Sequence, residues 1–292
     1  MPSDSRRPRR SVLFVPGSNV RALAKAATLA CDALIFDLED SVAPEFKAEA
    51  RENIRRYFPE PAPGRPERII RVNPLGSEWG PDDLALACAC GADAVLVPKV
   101  STPGDARDLD AALDGMDAPD WLSLWLMIET PLAVLNLGGF AELDSNRGGR
   151  RLDCLVAGTN DLILETGVAS TPDRRYLTPW LLQMVLAARA AGLDALDGVS
   201  NDFSDIEAFR HECLEGAAMG FDGKTLVHPA QIEPANLAFT PDDAAIARAV
   251  GVVEAFSLPA NAGKGVIALD GRMVELLHLR QAERLLARAG RS

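Results

Sequence analysis

The stretch Leu122–Thr130, with the sequence LSLWLMIET, is a short apolar run that ends at the charged residue Glu129. Its large apolar residues follow one another almost without a break, which is typical of a strand buried on both faces of a parallel sheet. Similar runs recur along the chain, each followed by a segment with helical spacing of apolar residues. The other runs are Ser11–Pro16, Ala33–Leu38, Arg68–Asn73, Ala94–Val100, Cys154–Gly158, Asp194–Val199 and Lys224–His228.

This alternation of strands and helices predicts an α/β fold. About eight strand–helix units within about 230 residues match a (β/α)8 barrel, the TIM-barrel architecture. A doubly wound open sheet is the competing fold, but it usually has fewer strands and a Gly-rich dinucleotide turn, and the chain has no GxGxxG motif. We therefore expect a catalytic barrel over residues 1–240 and a C-terminal helical extension over residues 241–292. Insertions are expected at Pro59–Pro66 and Asp144–Arg151.

Composition narrows the class of protein. The chain has 292 residues, 48% of them hydrophobic, and a net charge of −12, so a globular fold is expected and general nucleic-acid binding is disfavoured. No signal-peptide pattern and no apolar run of membrane-spanning length is evident. The five cysteines are odd in number and lie mostly in apolar contexts, as in reduced proteins. These features predict a cytoplasmic protein without membrane or nucleic-acid partners.

Polar residues stand at the ends of most predicted strands. In a (β/α)8 barrel these ends face one shared pocket, so the side chains are expected to converge there. For any single residue, a solvated loop position is the simpler interpretation, but the whole set is harder to explain in that way. The set is Asp37, Glu39, Asp40, Arg71, Asn73, Lys99, Glu129, Asp161, Asp197 and Lys224.

Glu129 and Asp161 are the candidate metal ligands. Each follows a strongly apolar run, and two carboxylates with room for water are a usual Mg²⁺ arrangement, because Mg²⁺ keeps part of its hydration shell. The alternative is that both carboxylates form salt bridges with Arg71 and Lys99. Both interpretations stay open at this point.

The mouth of the barrel, meaning the pocket at the C-terminal strand ends, has three other candidate functional residues: Arg71, Lys99 and Asn19. The guanidinium of Arg71 suits a carboxylate or a developing enolate oxygen, or an ion pair with Glu39 or Asp40. Lys99 could form a Schiff base, but neighbouring carboxylates would keep it charged, so this chemistry is disfavoured. Asn19 opens the first helix, either as an anion contact or as a simple N-cap.

The motifs around these residues resemble those of a known enzyme family. The sequence resembles the citrate lyase β-chain family, within the wider superfamily of HpcH/HpaI aldolases and malyl-CoA lyases. The matching motifs occur in order over most of the chain. They are SVLFVPGSN (Ser11–Asn19), FDLEDSVAP (Phe36–Pro44), RVN (Arg71–Asn73), VPKV (Val97–Val100), IET (Ile128–Thr130), GTNDL (Gly158–Leu162) and GFDGKTLVHPAQI (Gly220–Ile232).

The resemblance implies (β/α)8 barrels that assemble as trimers or hexamers and use Mg²⁺ to cleave or form a C–C bond between an acyl-CoA and a 2-oxo acid. Carried over by motif, Glu129 and Asp161 would bind the metal and Arg71 would contact the substrate. Glu39 and Asp40 would orient Arg71 and metal-bound water. The FVPGSN loop, which contains Asn19, and the LVHP segment (Leu226–Pro229) would border the CoA. Lys99 would be among the residues that bind the substrate.

The tail after about Pro241 departs from the family pattern. We expect a helix over Pro241–Phe256, a strand-like VIALDG segment and a last helix over Val274–Gly290. Several family members carry an aspartate that reaches a neighbouring subunit's site, and Glu275 stands at that position here. The expected arrangement is a homo-oligomer in which Glu275 exchanges the proton in trans. The alternative is a tail packed on its own barrel.

The sequence therefore predicts a Mg²⁺-dependent lyase for a citryl-, malyl- or citramalyl-CoA-like thioester. One alternative is a CoA-independent class II-type aldolase that acts on a 4-hydroxy-2-oxo acid. Another is a lyase subunit without catalytic activity.

Overall fold

The computed structural model describes residues 7–62, 64–143 and 151–289, and within these ranges eight parallel strands close into a barrel. Each strand pairs with the next along the chain, and the first pairs with the eighth. The predicted (β/α)8 barrel is confirmed. The strands are β1 (Ser11–Pro16), β2 (Ala33–Asp37), β3 (Glu67–Arg71), β4 (Ala94–Val97), β5 (Ser123–Ile128), β6 (Leu152–Ala157), β7 (Asp194–Asp197) and β8 (Gly223–Leu226).

Helices connect the strands, and glycines in the left-handed region end several of them, as at Gly91, Gly192 and Gly220. The insertion expected at Asp144–Arg151 lies outside the described residues except for Arg151. The helices of this part are α1 (Val20–Ala26), α2 (Lys47–Tyr57), α3 (Gly80–Cys90), α4 (Pro103–Gly115), α5 (Pro131–Leu135), α6 (Leu137–Ala141), α7 (Thr159–Thr166), α8 (Thr178–Ala191), α9 (Ile206–Met219) and α10 (Ile232–Phe239).

The barrel interior is an apolar core built from alternate residues of the strands. Its members are almost completely buried, except Phe14, which is partly buried. They are Val12, Phe14, Ala33, Ile35, Ile69, Ala94, Leu96, Trp125, Met127, Cys154, Val156 and Leu196.

The same alternation carries polar residues into the C-terminal mouth. Counting on by twos from Ile35, Ile69 and Met127 gives Asp37, Arg71 and Glu129. Asp37 and Arg71 are also register partners on β2 and β3, so their side chains lie on the same face of the sheet.

A buried arginine fills the N-terminal end of the barrel. The guanidinium of Arg9 donates hydrogen bonds to both carboxylate oxygens of Glu67 at 2.8 Å, and it also bonds Asp153 and Asp194. Its Cζ atom lies 4.6 Å from the ring centroid of Trp125, the largest buried side chain of the core. This ion-pair network closes the N-terminal end, and a substrate pocket is expected at the C-terminal end of the barrel.

Asp197 and Lys224 do not join the mouth, contrary to the expectation from their positions at strand ends. Leu196 faces the barrel interior, so Asp197 and its register partner Lys224 face the outer helices. There the Lys224 ammonium lies 2.9 Å from Asp197 Oδ2 and 2.7 Å from Glu212 Oε1 on α9. Arg174 donates to both oxygens of Asp197 at 2.8 Å. This network is a buried structural support between strands and helices.

A second compact unit begins at Leu237, whereas Arg9–Asn236 form the first. The predicted domain boundary at 240/241 stays a prediction. The second unit contains α11 (Asp243–Ser257), β9 (Val266–Leu269), β10 (Arg272–Glu275) and α12 (Leu276–Arg288). Apolar residues of α11 and α12, including Ile246 and Leu286, pack together.

The predicted helix over Val274–Gly290 is wrong at its start, because Val274 and Glu275 belong to β10. Strands β9 and β10 form an antiparallel hairpin around Asp270 and Gly271, which have φ angles of 49° and 74°. An Asp-Gly pair with two positive φ angles is typical of a two-residue hairpin turn. The last helix therefore begins only at Leu276.

No helix in the described part of the chain is both long and apolar enough to cross a membrane.

Candidate active site

Arg71, the last residue of β3, is held in place on several sides. Its Nε and Nη2 atoms each donate a 2.7 Å hydrogen bond to Asp37, and its Nη1 atom lies 2.9 Å from Glu39 Oε2 in an ion pair. The Cζ atom is 4.8 Å from the ring centroid of Phe14, and the Met127 sulfur is 3.7 Å from Nη1. Because two carboxylates and an aromatic face fix its plane, the guanidinium is preorganised.

The segment that carries Glu39 is anchored by a buried lysine that the sequence analysis did not single out. The ammonium of Lys47 donates to the carbonyl oxygens of Leu38 and Glu39 at 2.7 and 2.8 Å, and to Asn73 Oδ1 at 2.9 Å. Asn73 in turn donates to Asp83 from its backbone and its side chain. Lys47 and Asp83 lie in helices of ordinary charged composition, so no local sequence signal marks them.

Glu129 and Asp161 lie on either side of the Lys99 ammonium. Glu129 directly follows β5 and is fully buried, whereas Asp161 lies in the first turn of α7 with a quarter of its side chain exposed. The Lys99 ammonium contacts Asp161 Oδ1 and lies 3.5 Å from Glu129 Oε1. The backbone N–H of Lys99 donates a 2.7 Å hydrogen bond to the same Glu129 oxygen. The two carboxylates predicted from the sequence thus both lie beside Lys99, and the alternative salt bridge with Lys99 is present as well. Arg71 pairs with Asp37 and Glu39 instead of with these two carboxylates.

The backbone of Lys99 is in the left-handed region, with a φ angle of 56°. This conformation is uncommon for a residue other than glycine and costs about 1 to 3 kcal/mol. Here the residue's N–H donates to Glu129, and its ammonium contacts Asp161 and lies 3.5 Å from Glu129. Strained residues of this kind concentrate at functional sites, which supports a role for this one.

Gly158 makes the space that Glu129 occupies. A Cβ atom at Gly158 would lie 2.3 Å from Glu129 Cβ and 2.8 Å from Glu129 Oε2. Gly158 is also the N-cap residue of α7, which carries Asp161. One glycine therefore allows the two carboxylates to approach each other.

Burial and neighbouring charges shift the pKa values of the mouth. Burial, together with the Asp161 charge, raises the pKa of Glu129 to about 8, and burial with the charges of Asp40 and Asp37 raises the pKa of Glu39 to about 7. Burial disfavours the charge of Asp37, yet the ion pair with Arg71 lowers its pKa. Burial likewise opposes the charge of Lys99, but its bond to Asp161 raises its pKa. The raised pKa favours the protonated ammonium and disfavours Schiff-base chemistry at Lys99.

The side chains of the mouth fit a divalent cation. Glu129 Oε2 is buried and has no hydrogen-bond partner among the described residues, so one ligand oxygen is available. When ionised, the four carboxylates Asp37, Glu39, Glu129 and Asp161 exceed the cations Arg71 and Lys99 by two charges. Bound positive charge favours that ionised state, against the raised pKa of Glu129.

The number of ligands also indicates the kind of metal. Within residues 7–62, 64–143 and 151–289, His, Cys, Asp and Glu side chains form no group of three that could hold a metal. Two carboxylate ligands are enough for Mg²⁺, which takes its remaining ligands from water and substrate. A structural zinc site would need more protein ligands.

Among the described residues, the structure gives no contact between the Glu129–Asp161 pair and the predicted site residues Asn19 and Asp40. Asn19 is exposed and accepts a 3.1 Å hydrogen bond from the N–H of Ala22. It is therefore the N-cap of α1, as one of its two interpretations has it. Asp40 is exposed beside Glu39. Glu275 ends β10 in the second unit, where its N–H donates to His278 Nδ1. The substrate and proton-transfer roles of these residues stay predictions.

The model of the HpcH/HpaI aldolase/citrate lyase family matches residues 10–229, a range that holds the whole barrel. The chain belongs to this family. The predicted family resemblance is therefore confirmed, and the site described above is the mouth of a family barrel.

Similar proteins agree with this assignment. The chain is 46% identical to a (3S)-malyl-CoA thioesterase of Cereibacter sphaeroides, over 97% of the chain and 95% of that protein. It is 34% identical to citrate lyase subunit beta of Escherichia coli, over 97% of the chain and 94% of that protein. The solved structure of CitE from Mycobacterium tuberculosis with magnesium, acetoacetate and coenzyme A matches with a TM-score of 0.75. Its sequence identity is 30%, and the match covers 97% of this chain and 98% of that one.

The space at Gly158 yields a prediction. Gly158→Ala keeps an allowed backbone conformation, since φ is −99°, but places a methyl group against Glu129. We expect the Mg²⁺-dependent rise in Tm to disappear and the unfolding free energy to fall by about 1 to 3 kcal/mol. Differential scanning fluorimetry with and without MgCl₂ measures the first effect, and urea unfolding measures the second.

Gly115→Ala is the matched control, because a Cβ atom there would meet no described atom within 4 Å. It should keep the Mg²⁺ response. A Gly158→Ala protein that responds to Mg²⁺ as the wild type does would contradict the placement of Glu129 in the metal site.

Proposed function

We propose that the protein is a Mg²⁺-dependent carbon–carbon lyase that cleaves or forms a citryl-, malyl- or citramalyl-CoA-like thioester. The observation that carries the proposal is the preorganised Arg71 in the same barrel mouth as the Glu129–Asp161 pair, in a member of this family. The citrate lyase β subunit and a mitochondrial citramalyl-CoA lyase among its relatives are carbon–carbon lyases. Two solved relatives are complexes with magnesium, one with coenzyme A and acetoacetate and one with oxaloacetate.

Glu129 and Asp161 would hold the metal. When bound, Mg²⁺ supplies a Lewis acid for the carbonyl and carboxylate oxygens of a 2-oxo acid. The chain contributes the positions of the two carboxylates: Gly158 and the backbone of Lys99 fix Glu129, and the first turn of α7 fixes Asp161.

Arg71 would stabilise the enolate of the acyl-CoA. In the cleavage direction a base removes the proton of the substrate hydroxyl, the C–C bond breaks, and its electron pair forms the enolate of the thioester. Asp37 binds one edge of the Arg71 guanidinium through Nε and Nη2, and Glu39 pairs with Nη1. The remaining N–H groups of Nη1 and Nη2 would meet the enolate oxygen. Because the guanidinium is already fixed, little reorganisation is needed when the charge develops.

Proton transfer completes the reaction. The hydroxyl proton goes to a carboxylate base, and the enolate carbon takes a proton from an acid, giving the acyl-CoA and the 2-oxo acid. We assign this exchange to Glu275 of a neighbouring subunit, with Asp40 and Glu39 orienting Arg71 and water. The assignment is supported by the family position of Glu275. It requires a homo-oligomer, a trimer or a hexamer, and we place the protein in the cytoplasm.

Hydrolysis of the thioester is a second candidate function. The observation that favours it is the 46% identity to a protein named (3S)-malyl-CoA thioesterase. Hydrolysis releases free CoA and the free hydroxy acid, whereas the lyase releases an acyl-CoA and a 2-oxo acid. A CoA-independent aldolase is not favoured, because this relative and the citramalyl-CoA lyase are both named for CoA thioesters.

An assay of products from malyl-, citramalyl- and citryl-CoA tests the proposal. With Mg²⁺ we expect a 2-oxo acid, detected as its hydrazone, in equal amount to the acyl-CoA. Arg71→Lys should lower kcat by at least about tenfold, roughly 1.4 kcal/mol of transition-state stabilisation, because Lys loses the planar fork. Release of free thiol without any 2-oxo acid would instead establish the thioesterase.

Mixed oligomers test the assignment of Glu275. Glu275→Gln and Glu129→Gln subunits, each inactive alone, should regain part of the activity when they are denatured and refolded together, because some sites then combine intact halves. The control is each variant denatured and refolded by itself. Mixtures that stay inactive at every ratio would show that each site is built within one chain.

A further inference from the structure

The Lys99 side chain carries an inference about metal affinity, and this inference rests on the proposed metal site. Its ammonium contacts Asp161 Oδ1 and lies 3.5 Å from Glu129 Oε1, so it bridges both proposed ligands. We propose that the Lys99 ammonium is an internal cation that competes with Mg²⁺ for Glu129 and Asp161. It stabilises the metal-free protein and weakens Mg²⁺ binding.

The competition follows because the space between the Glu129 and Asp161 carboxylates holds only one cation. An ammonium bonds carboxylate oxygens at about 2.8 Å, and Mg²⁺ does so at about 2.1 Å, so a metal held by both carboxylates lies where the ammonium now bridges them. Two cations about 4 Å apart in a partly buried site repel each other strongly. Lys99 therefore has to release Asp161 when the metal binds.

The side chain is not needed to orient Glu129. The backbone N–H of Lys99 makes that hydrogen bond at 2.7 Å, and the left-handed backbone conformation directs it there. A substitution at position 99 keeps this bond and removes only the ammonium. The two contributions of Lys99 can thus be separated by experiment.

The Lys99 ammonium can move from Asp161 toward solvent or toward another carboxylate. Its side chain is 31% exposed, whereas the buried Lys224 is 0% exposed and fixed by Asp197 and Glu212. Glu39 offers the next carboxylate in the mouth, and its Oε2 atom has no hydrogen-bond partner among the described residues, although it is paired with Arg71 by charge. Lys99 can therefore leave Asp161 without becoming a buried, uncompensated charge.

The test compares wild type, Lys99→Met and Lys99→Arg after removal of metal with EDTA and dialysis. Lys99→Met has a similar length and no charge, and Lys99→Arg keeps the charge. At one pH, we expect Lys99→Met to bind Mg²⁺ at least about fivefold more tightly by isothermal titration calorimetry. Its metal-free Tm should be lower than that of the wild type, and its rise in Tm with MgCl₂ should be larger. Lys99→Arg should stay near the wild type.

Equal or weaker Mg²⁺ binding by Lys99→Met would overturn the proposal and leave Lys99 as a support for the metal ligands. Lys99→Gln, also uncharged, allows the same comparison if the Met variant does not fold. A Glu129→Gln protein separates this failure from that of the proposed function. If the wild type binds Mg²⁺ no better than Glu129→Gln, the metal site itself is wrong, and the competition is refuted with it.

Discussion

The strict alternation of side chains along the barrel strands is the constraint on which the site depends. Because Ile35, Ile69 and Met127 face the interior, the next residues of the same parity, Asp37, Arg71 and Glu129, must face the mouth. The apolar interior therefore does more than stabilise the barrel. A shift of one residue in any of these strands would turn its functional side chain toward the helices.

Charge compensation is the second constraint, since the mouth gathers carboxylates that would repel one another if left alone. Arg71 compensates Asp37 and Glu39, and Lys99 compensates Glu129 and Asp161, at bonds or ion-pair contacts of 3.5 Å or less. Buried ion pairs of this kind are weak evidence for stability, because desolvation offsets most of the attraction. Their concentration in one mouth fits the proposed function, in which a metal cation and an enolate oxygen would bind among these fixed charges.

Much of this site could be predicted from the sequence, because strand ends in a barrel converge whatever the loops do. That rule placed Arg71, Glu129, Lys99 and Asp161 together, although Asp161 lies beyond the strand end, in the first turn of α7. The rule failed for Asp197 and Lys224, because a strand end does not reveal which face a residue takes; counting from Leu196 would have done so. Lys47 and Phe14 were missed because their roles arise only from packing, and β10 was missed although Asp270–Gly271 is a hairpin signal. The position of Glu275 relative to a site depends on assembly, which one sequence does not contain.

The proposed function depends on a divalent cation that Glu129 and Asp161 would bind together at the mouth of this barrel. Mn²⁺ shares the oxygen ligands of Mg²⁺ and scatters X-rays anomalously, so a crystal soaked in MnCl₂ tests the claim most directly. We expect an anomalous peak about 2.2 Å from a carboxylate oxygen of each residue, with Lys99 Nζ moved away from Asp161. A peak bound elsewhere, or none at the mouth at saturating Mn²⁺, would contradict it.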